Sequence, residues 1–257
     1  MMLGRRWLST AAAVVIFSPV AAIGQTVAEH IAAGDSAHAA FNPPAALRHY
    51  EAAVALEPAN VEALEKASRS AADVSEGTVE VAKRNELYEK AEQYARRAVE
   101  GAPNSAEAHF HLARAVGLKA LSMGVRDRVK FATVVRTEAL EALKHDPNHP
   151  GALHVLGVWN AEVMRLSGFE RFFAKNLLGG KMFSQANWQD AVSLLEKAVA
   201  VDPDRLTHHL DLAKIYTDVG NKQKAREQYE LVVNGKQTDF NDPKYKREAA
   251  AALKSTR

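Results

Sequence analysis

The sequence predicts an all-α superhelical solenoid of about five helical pairs with long insertions. Three observations carry that prediction. Alanine is abundant, the 257 residues include only 14 glycines and 9 prolines, and β-branched runs are short, a composition that favours helix. Tripeptides ending in proline recur, LEP at 56–58, GAP at 101–103, HDP at 145–147 and VDP at 201–203, each after an amphipathic stretch. Proline there ends one helix and starts the turn into the next. Small residues also return at a fixed phase from each proline, which lets paired helices approach closely.

The chain opens on Arg5 and Arg6, then an apolar run from about Trp7 to Val20, then the small residues Ala22 and Gly24. This is the shape of a secretory signal peptide over residues 1–24, cleaved near Gly24–Gln25. Pro19 breaks the run, which is short for a membrane span, and an uncleaved N-terminal anchor is the second reading. The expected location is periplasmic or secreted. Without residues 1–24 the chain carries 31 basic and 31 acidic side chains, so no basic excess calls for nucleic acid. Cysteine is absent, which excludes a disulfide framework, lipoprotein attachment and thiol chemistry.

The rest, 25–257, reads as one repeat domain. Its pairs fall at about 26–58, 60–103, 105–147, 149–203 and 205–239, with a capping helix over 243–254. Each turn proline can be set at position 32 of the 34-residue tetratricopeptide pattern. Leu212, Ala213, Tyr216, Ala225 and Tyr229 then occupy the signature positions of the fifth pair. Leu156 with Gly157, Ala191 with Leu195 and Ala198, and Ala46 with Tyr50 and Ala53 do the same earlier in the chain. Successive prolines lie 45, 44 and 56 residues apart, so extra length is expected between the helices of a pair, around 75–88, 117–133 and 164–188. Asp242 before Pro243 reads as an N-cap with proline at N1, opening a polar last helix that covers the end of the array.

From Val61 to about residue 253 the chain resembles the regulator of microtubule dynamics family. The stretches KASRSAADVS, ELYEKAEQYARRAVEGAPNSAEAHFHLA, HPGALHVLGVWNAEV and FERFFAKNLLGG…WQDAVSLLEKAVAVDP carry the resemblance. It implies a tetratricopeptide-like helical repeat with long insertions, no enzymatic activity, and binding to other proteins or to phospholipid. An exported chain would not meet microtubules, so the fold is what the resemblance carries over.

The stretch RLSGFERFFAKNLLGGKMF, residues 165–183, stands where a repeat needs only a turn. At spacings of three and four, Leu166, Phe169, Phe172, Phe173 and Leu177 share one helical face, with Arg171 and Lys175 opposite. Gly179-Gly180 ends that helix, and Asn187 with Asp190 caps the next. Burying four such side chains contributes about 6–12 kcal/mol, on the scale of a whole domain's stability. The face therefore packs on the array, roofs the concave groove over an apolar channel for an acyl chain or amphipathic peptide, or makes peripheral membrane contact.

Helical phase also names a groove. One concave position reads Arg69, Arg114, Val158 and Lys214 in successive pairs, and another reads Glu65, Phe110, His154 and Leu210. Three cations in a line suit an anionic ligand such as a carboxylate or phosphate. The alternative is that they pair with Glu62, Asp73, Glu107 and Glu162. The candidate partner groove is thus Arg69, Phe110, Arg114, His154, Val158, Glu162, Leu210 and Lys214, with Phe169, Phe172, Phe173 and Leu177 from the insertion. The ten histidines lack a three-ligand zinc arrangement, and neither a nucleophile elbow nor a phosphate-cradling glycine loop occurs, so no metal, cofactor or catalysis is expected. The resulting expectation is a non-enzymatic scaffold with a protein or peptide partner, and the runner-up is a carrier of a phospholipid or another amphipathic anion.

Overall fold

The computed structural model describes residues 25–168, 170 and 182–255, with backbone alone at 125 and 126. These residues form α1 (Val27–Ala39), α2 (Pro43–Leu56), α3 (Val61–Gly77), α4 (Val81–Gly101), α5 (Ala106–Leu121) and α6 (Val125–His145). There follow α7 (Pro150–Arg165), α8 (Trp188–Val201), α9 (Leu206–Asp218), α10 (Lys222–Asn234) and α11 (Asp242–Ser255). Consecutive helices pack as antiparallel pairs, α1 with α2 through α9 with α10, and α11 packs on α10. The first helices of successive pairs also touch one another, α3 on α5, α5 on α7 and α7 on α9, so they form the inner, concave layer. The expected all-α solenoid of five pairs is what the chain adopts.

Capping side chains punctuate the repeat. Asn60, Ser105 and His149 each precede an inner helix and accept the backbone N–H three residues on, at 2.9, 3.1 and 3.1 Å. The prolines of the turns leave free carbonyls, and the neighbouring helices satisfy them. The His109 and His209 rings meet the carbonyls of Pro103 and Pro203 at 2.9 and 2.8 Å, and Lys197 donates to Pro147 at 2.8 Å. These two histidines are structural parts of the turns.

The signature residues are the core. Ala46, Tyr50, Ala53, Ala191, Leu195, Ala198 and Ala213 have no exposed surface. Leu212, Tyr216, Ala225 and Tyr229 join α9 to α10 in one cluster. A Cβ on Gly157 would lie 1.9 Å from a Leu195 methyl, so this contact between α7 and α8 requires glycine.

Two expectations are corrected. The extra length of the second and third pairs does not form long corners: α3 and α4 run 17 and 21 residues, α5 and α6 run 16 and 21, and only residues 78–80 and 122–124 separate them. Added helical turns keep every backbone group bonded, which an irregular corner would not. Only the fourth pair has a long separation, at 166–187, and Phe169, Phe172, Phe173, Leu177 and Gly179-Gly180 lie outside the described residues. Its far end is anchored, with Asn187 capping α8 at Asp190 N (2.8 Å) and donating its own N–H to Asn160 (3.3 Å). Asp242, in turn, does not cap α11 forwards. Its carboxylate is fully buried and accepts the backbone N–H groups of Thr238 and Asp239 behind it, at 2.7 and 2.8 Å.

That backward fold creates a strap. Residues 238–245 cross the concave face and reach α3: Asn241 donates to the Asp73 carbonyl (3.2 Å), Lys244 to the Glu76 carbonyl (3.2 Å) and the Tyr245 hydroxyl to the Glu76 carboxylate (2.7 Å). The end of the array is thereby tied to its second pair.

Candidate functional site

Between the inner helices and the strap lies a cavity of about 680 Å³, within the size range of small-molecule sites. Helices α5, α7 and α9 form most of its wall, α6 adds Val129, Ala132 and Val135, and His38, Arg69, Tyr245 and Glu248 come from α1, α3 and α11. Phe110, His154, Val158 and Leu210 all line this one space, as do Arg69, Arg114, Glu162 and Lys214. The structure thus brings together the eight described residues of the sequence-derived groove. Phe169, Phe172, Phe173 and Leu177 lie outside the described residues.

The electrostatics differ from the picture of a line of free cations. Arg114 donates to Asp73 at 2.7 Å and Glu76 at 2.9 Å. Burial alone would lower its pKa, but the two carboxylates hold it above the ordinary range. Lys214 lies 3.1 Å from Asp211 and 2.8 Å from Glu248. Burial again opposes its charge, yet Asp211 and Glu248 raise its pKa. Glu162 is shared by Arg128 (3.1 Å) and Arg165 (2.6 Å). The buried Nε atoms of Arg69 and Arg128 have no hydrogen-bond partner. Of the two readings of these cations, pairing is what Arg114 and Lys214 show: Asp73 is a partner the sequence named, and Glu76 and Glu248 join from across the tertiary fold.

Along the inner helices the cavity changes character. Towards the C-terminal ends of α5 and α7 it is mainly apolar, lined by Leu118, Leu121, Val129, Val163, Leu166 and Phe183, with the Arg128–Glu162 ion pair beside them. Trp159 stacks on Phe183 at 6.2 Å between centroids, and its indole N–H is satisfied by the Ala132 carbonyl at 2.8 Å. Leu166 and Phe183 are the two flanks of the insertion, so the apolar end adjoins it. Towards the N-terminal ends of α5, α7 and α9 the wall is polar. The Glu107 carboxylate bridges His111 and His149, both at 2.9 Å. Burial would raise the Glu107 pKa, but these two bonds hold it well below the usual range. His154 meets Asp211 at 2.8 Å, and Asp211 is likewise held low against burial by His154 and Lys214. The His208 ring lies 4.9 Å from that of His154. Burial first, then the His154 and Arg205 charges, push its pKa down to about 2, so it is neutral near pH 7.

Helical phase missed Trp159 and Phe183 as lining residues. Trp159 follows the small-residue position Gly157 by two, and Phe183 sits beyond the glycine pair. The signal for both was their aromatic size in a repeat that elsewhere places alanine. Among the described residues no group of three His, Asp or Glu side chains is arranged to hold a metal ion. No helix among them is long and apolar enough to cross a membrane.

The sequence model of the family described as regulator of microtubule dynamics protein 1-3 matches residues 29–257. Regulator of microtubule dynamics protein 1 of Bos taurus is 29% identical over 163 residues, which is 63% of this chain and 50% of the relative. The Mus musculus protein of that name is also 29% identical, with 63% and 52% covered. The chain thus spans about half the length of the curated relatives it matches. Among solved structures, a thermophilic TPR protein of Thermus thermophilus superposes with a TM-score of 0.62 at 19% identity, covering 88% of this chain and all of that one. Pseudomonas aeruginosa pilF superposes with a TM-score of 0.51 at 14% identity, with 88% of each chain covered. These likenesses establish the tetratricopeptide-like fold.

Proposed function

The chain belongs to the regulator of microtubule dynamics family, and from that premise we propose that it is a non-catalytic binding protein whose cavity takes the apolar part of an amphipathic ligand. One observation carries this reading: the strap spans the concave face, and behind it the cavity keeps an apolar end beside Trp159 and Phe183. The strap narrows the open length of groove that an extended peptide needs, and the apolar end behind it suits a single acyl or alkyl chain. Arg114, Lys214, Glu162, Arg205 and Asp211 of the wall are engaged in ion pairs, and among the described residues no nucleophile–base pair stands free in it, which supports binding over catalysis. The balanced charge of residues 25–257 supports no nucleic-acid partner.

We further propose that the chain is exported, on the strength of the Arg5-Arg6 pair and the apolar run that follows. N-terminal sequencing of the protein recovered from cells tests this, and a mature end at Gln25 is the expected result.

The second reading, a scaffold for a protein or peptide partner, is favoured by the repeat fold itself. Mass spectrometry of organic extracts of the purified protein separates the two. A stoichiometric amphiphile is expected, and Val158→Trp, which places an indole in the middle of the cavity, removes it. Clean extracts together with one specific captured protein would give the scaffold reading the field, with lipid contact no more than peripheral.

A further inference from the structure

The wall of the cavity indicates where the ligand is polar, an inference that rests on the amphiphile reading above. Among the described residues, Arg69 Nε, Arg128 Nε and His208 Nδ1 are buried without a hydrogen-bond partner, and all three residues line the cavity. Such atoms cost stability unless a ligand or ordered water meets them. Two of them stand near the two ends of α7. The His208 ring, 3% exposed, lies 4.9 Å from that of His154, and the Arg128 guanidinium lies 3.1 Å from Glu162. From His154 to Glu162 the helix rises about 12 Å. Val155, Val158 and Trp159 line the cavity between these points, with Gly117 and Leu118 of α5.

Neither end favours an ion. At His208, burial and the charges of His154, Arg205 and His209 keep the ring neutral, and they oppose a cationic ligand group in the same way. An anionic group there meets the Asp211 carboxylate, and the nearby cations are already paired, Lys214 with Asp211 and Glu248 and Arg205 with Asp239. At Arg128, Glu162 serves both Arg128 and Arg165, and Arg165 also reaches Asp218, so two arginines balance two carboxylates.

Uncharged oxygen suits both places. The Arg128 Nε–H donates to a neutral oxygen, and a neutral imidazole nitrogen gives or takes a hydrogen bond, which a hydroxyl answers either way. We infer that the cavity takes an uncharged chain oxygenated at both ends, an α,ω-diol or hydroxy-ketone, in preference to a single-headed amphiphile. With carbon–carbon bonds of about 1.5 Å in an extended zigzag, about ten carbons cover the distance.

The test uses the full chain in isothermal titration calorimetry at pH 7, with decane-1,10-diol, 1-decanol and decanoate as probes. Apolar burial alone ranks 1-decanol above the diol, because the second hydroxyl must also leave water. The order should be reversed, with the diol binding about threefold or more tighter. Its advantage over the mono-alcohol of equal length should peak near ten carbons and vanish for hexane-1,6-diol. His208→Phe and Arg128→Met should each lower the diol to the affinity of 1-decanol. Neither should weaken 1-decanol itself, since one end remains for its single hydroxyl. Glu162 keeps Arg165 in the second variant, and an unchanged helical circular dichroism spectrum verifies the fold of both. Mono-alcohols that equal the diols at every length overturn the inference, with ordered water as the partner of both atoms, and leave the amphiphile reading in place. Decanoate binding tighter than the diol, with the gain lost in Arg69→Gln, overturns it as well and assigns an anionic head to the α3 wall. If neither these probes nor dodecyl maltoside binds, the amphiphile reading itself falls, and this inference with it.

Discussion

Single atoms decide two sensitivities of this protein. Gly157 faces Leu195, and an added Cβ would also sit 3.2 Å from the Ala191 carbonyl oxygen, so neither the side chain nor the backbone of α8 leaves room. Alanine there gains about 1 kcal/mol of helix propensity. It loses about 1–3 kcal/mol to overpacking, so Gly157→Ala should lower the melting temperature in a thermal unfolding experiment. His208 supplies the other. Its folded pKa near 2 lies below its ordinary value of 6.5, so between those limits the unfolded chain binds a proton that the folded one refuses. Stability should therefore fall as pH drops below about 6.5, by up to about 1.4 kcal/mol per pH unit. Urea unfolding at pH 7 and pH 5.5 measures the slope, and His208→Gln should flatten it. A slope unchanged by that substitution would show that other groups carry the acid sensitivity.

Among the elements, the strap is the one that repeat logic does not contain. Asn241, 3% exposed, and Tyr245 make contacts with α3 across more than 160 residues of chain. Asn241→Ala with Tyr245→Phe removes two of the bonds that hold it. Hydrogen–deuterium exchange of residues 236–246 should accelerate by one to two orders of magnitude, about 1–3 kcal/mol for two bonds, while α7 to α9 keep their protection. Exchange that rises equally throughout would make the strap part of one global unfolding unit. The helical pairs themselves were legible beforehand, because each carries its proline, its small residues and its cap within one repeat length. Asp242 shows the limit. Its cap was readable as a type, but the direction in which its carboxylate bonds depends on Thr238 and Asp239 folding back behind it, which no local pattern specifies.

At the scale of the whole molecule, the solenoid is closed where a longer array would stay open. The residues expected along the groove do meet in one space, because phase along parallel inner helices is a property of the repeat. Their charge state was not legible in the same way. Asp73 was a recognisable partner for Arg114, but Glu76 and Glu248 reach their cations only once α3, α5, α9 and α11 are assembled. Closure also predicts how the cavity answers substitution. Val158→Trp, on the inner face of α7, should leave helical content intact while abolishing uptake of a dodecyl-chain amphiphile in calorimetry. Retained uptake would move the ligand site out of the cavity.

The sequence by itself determined what repeats: helices ended by proline, alanine and glycine where helices touch, leucine and tyrosine filling the gaps, and with them the all-α solenoid and its inner face. Only the tertiary structure decided what happens once: the strap onto α3, the reach of Glu76 to Arg114 and of Glu248 to Lys214, and the division of the cavity into a mainly apolar and a polar end. The physical reason is range. Packing between neighbouring helices is written into every repeat period, whereas contacts that close the array join residues with no shared period, and their energies depend on a burial and a charge balance that exist only in the folded whole.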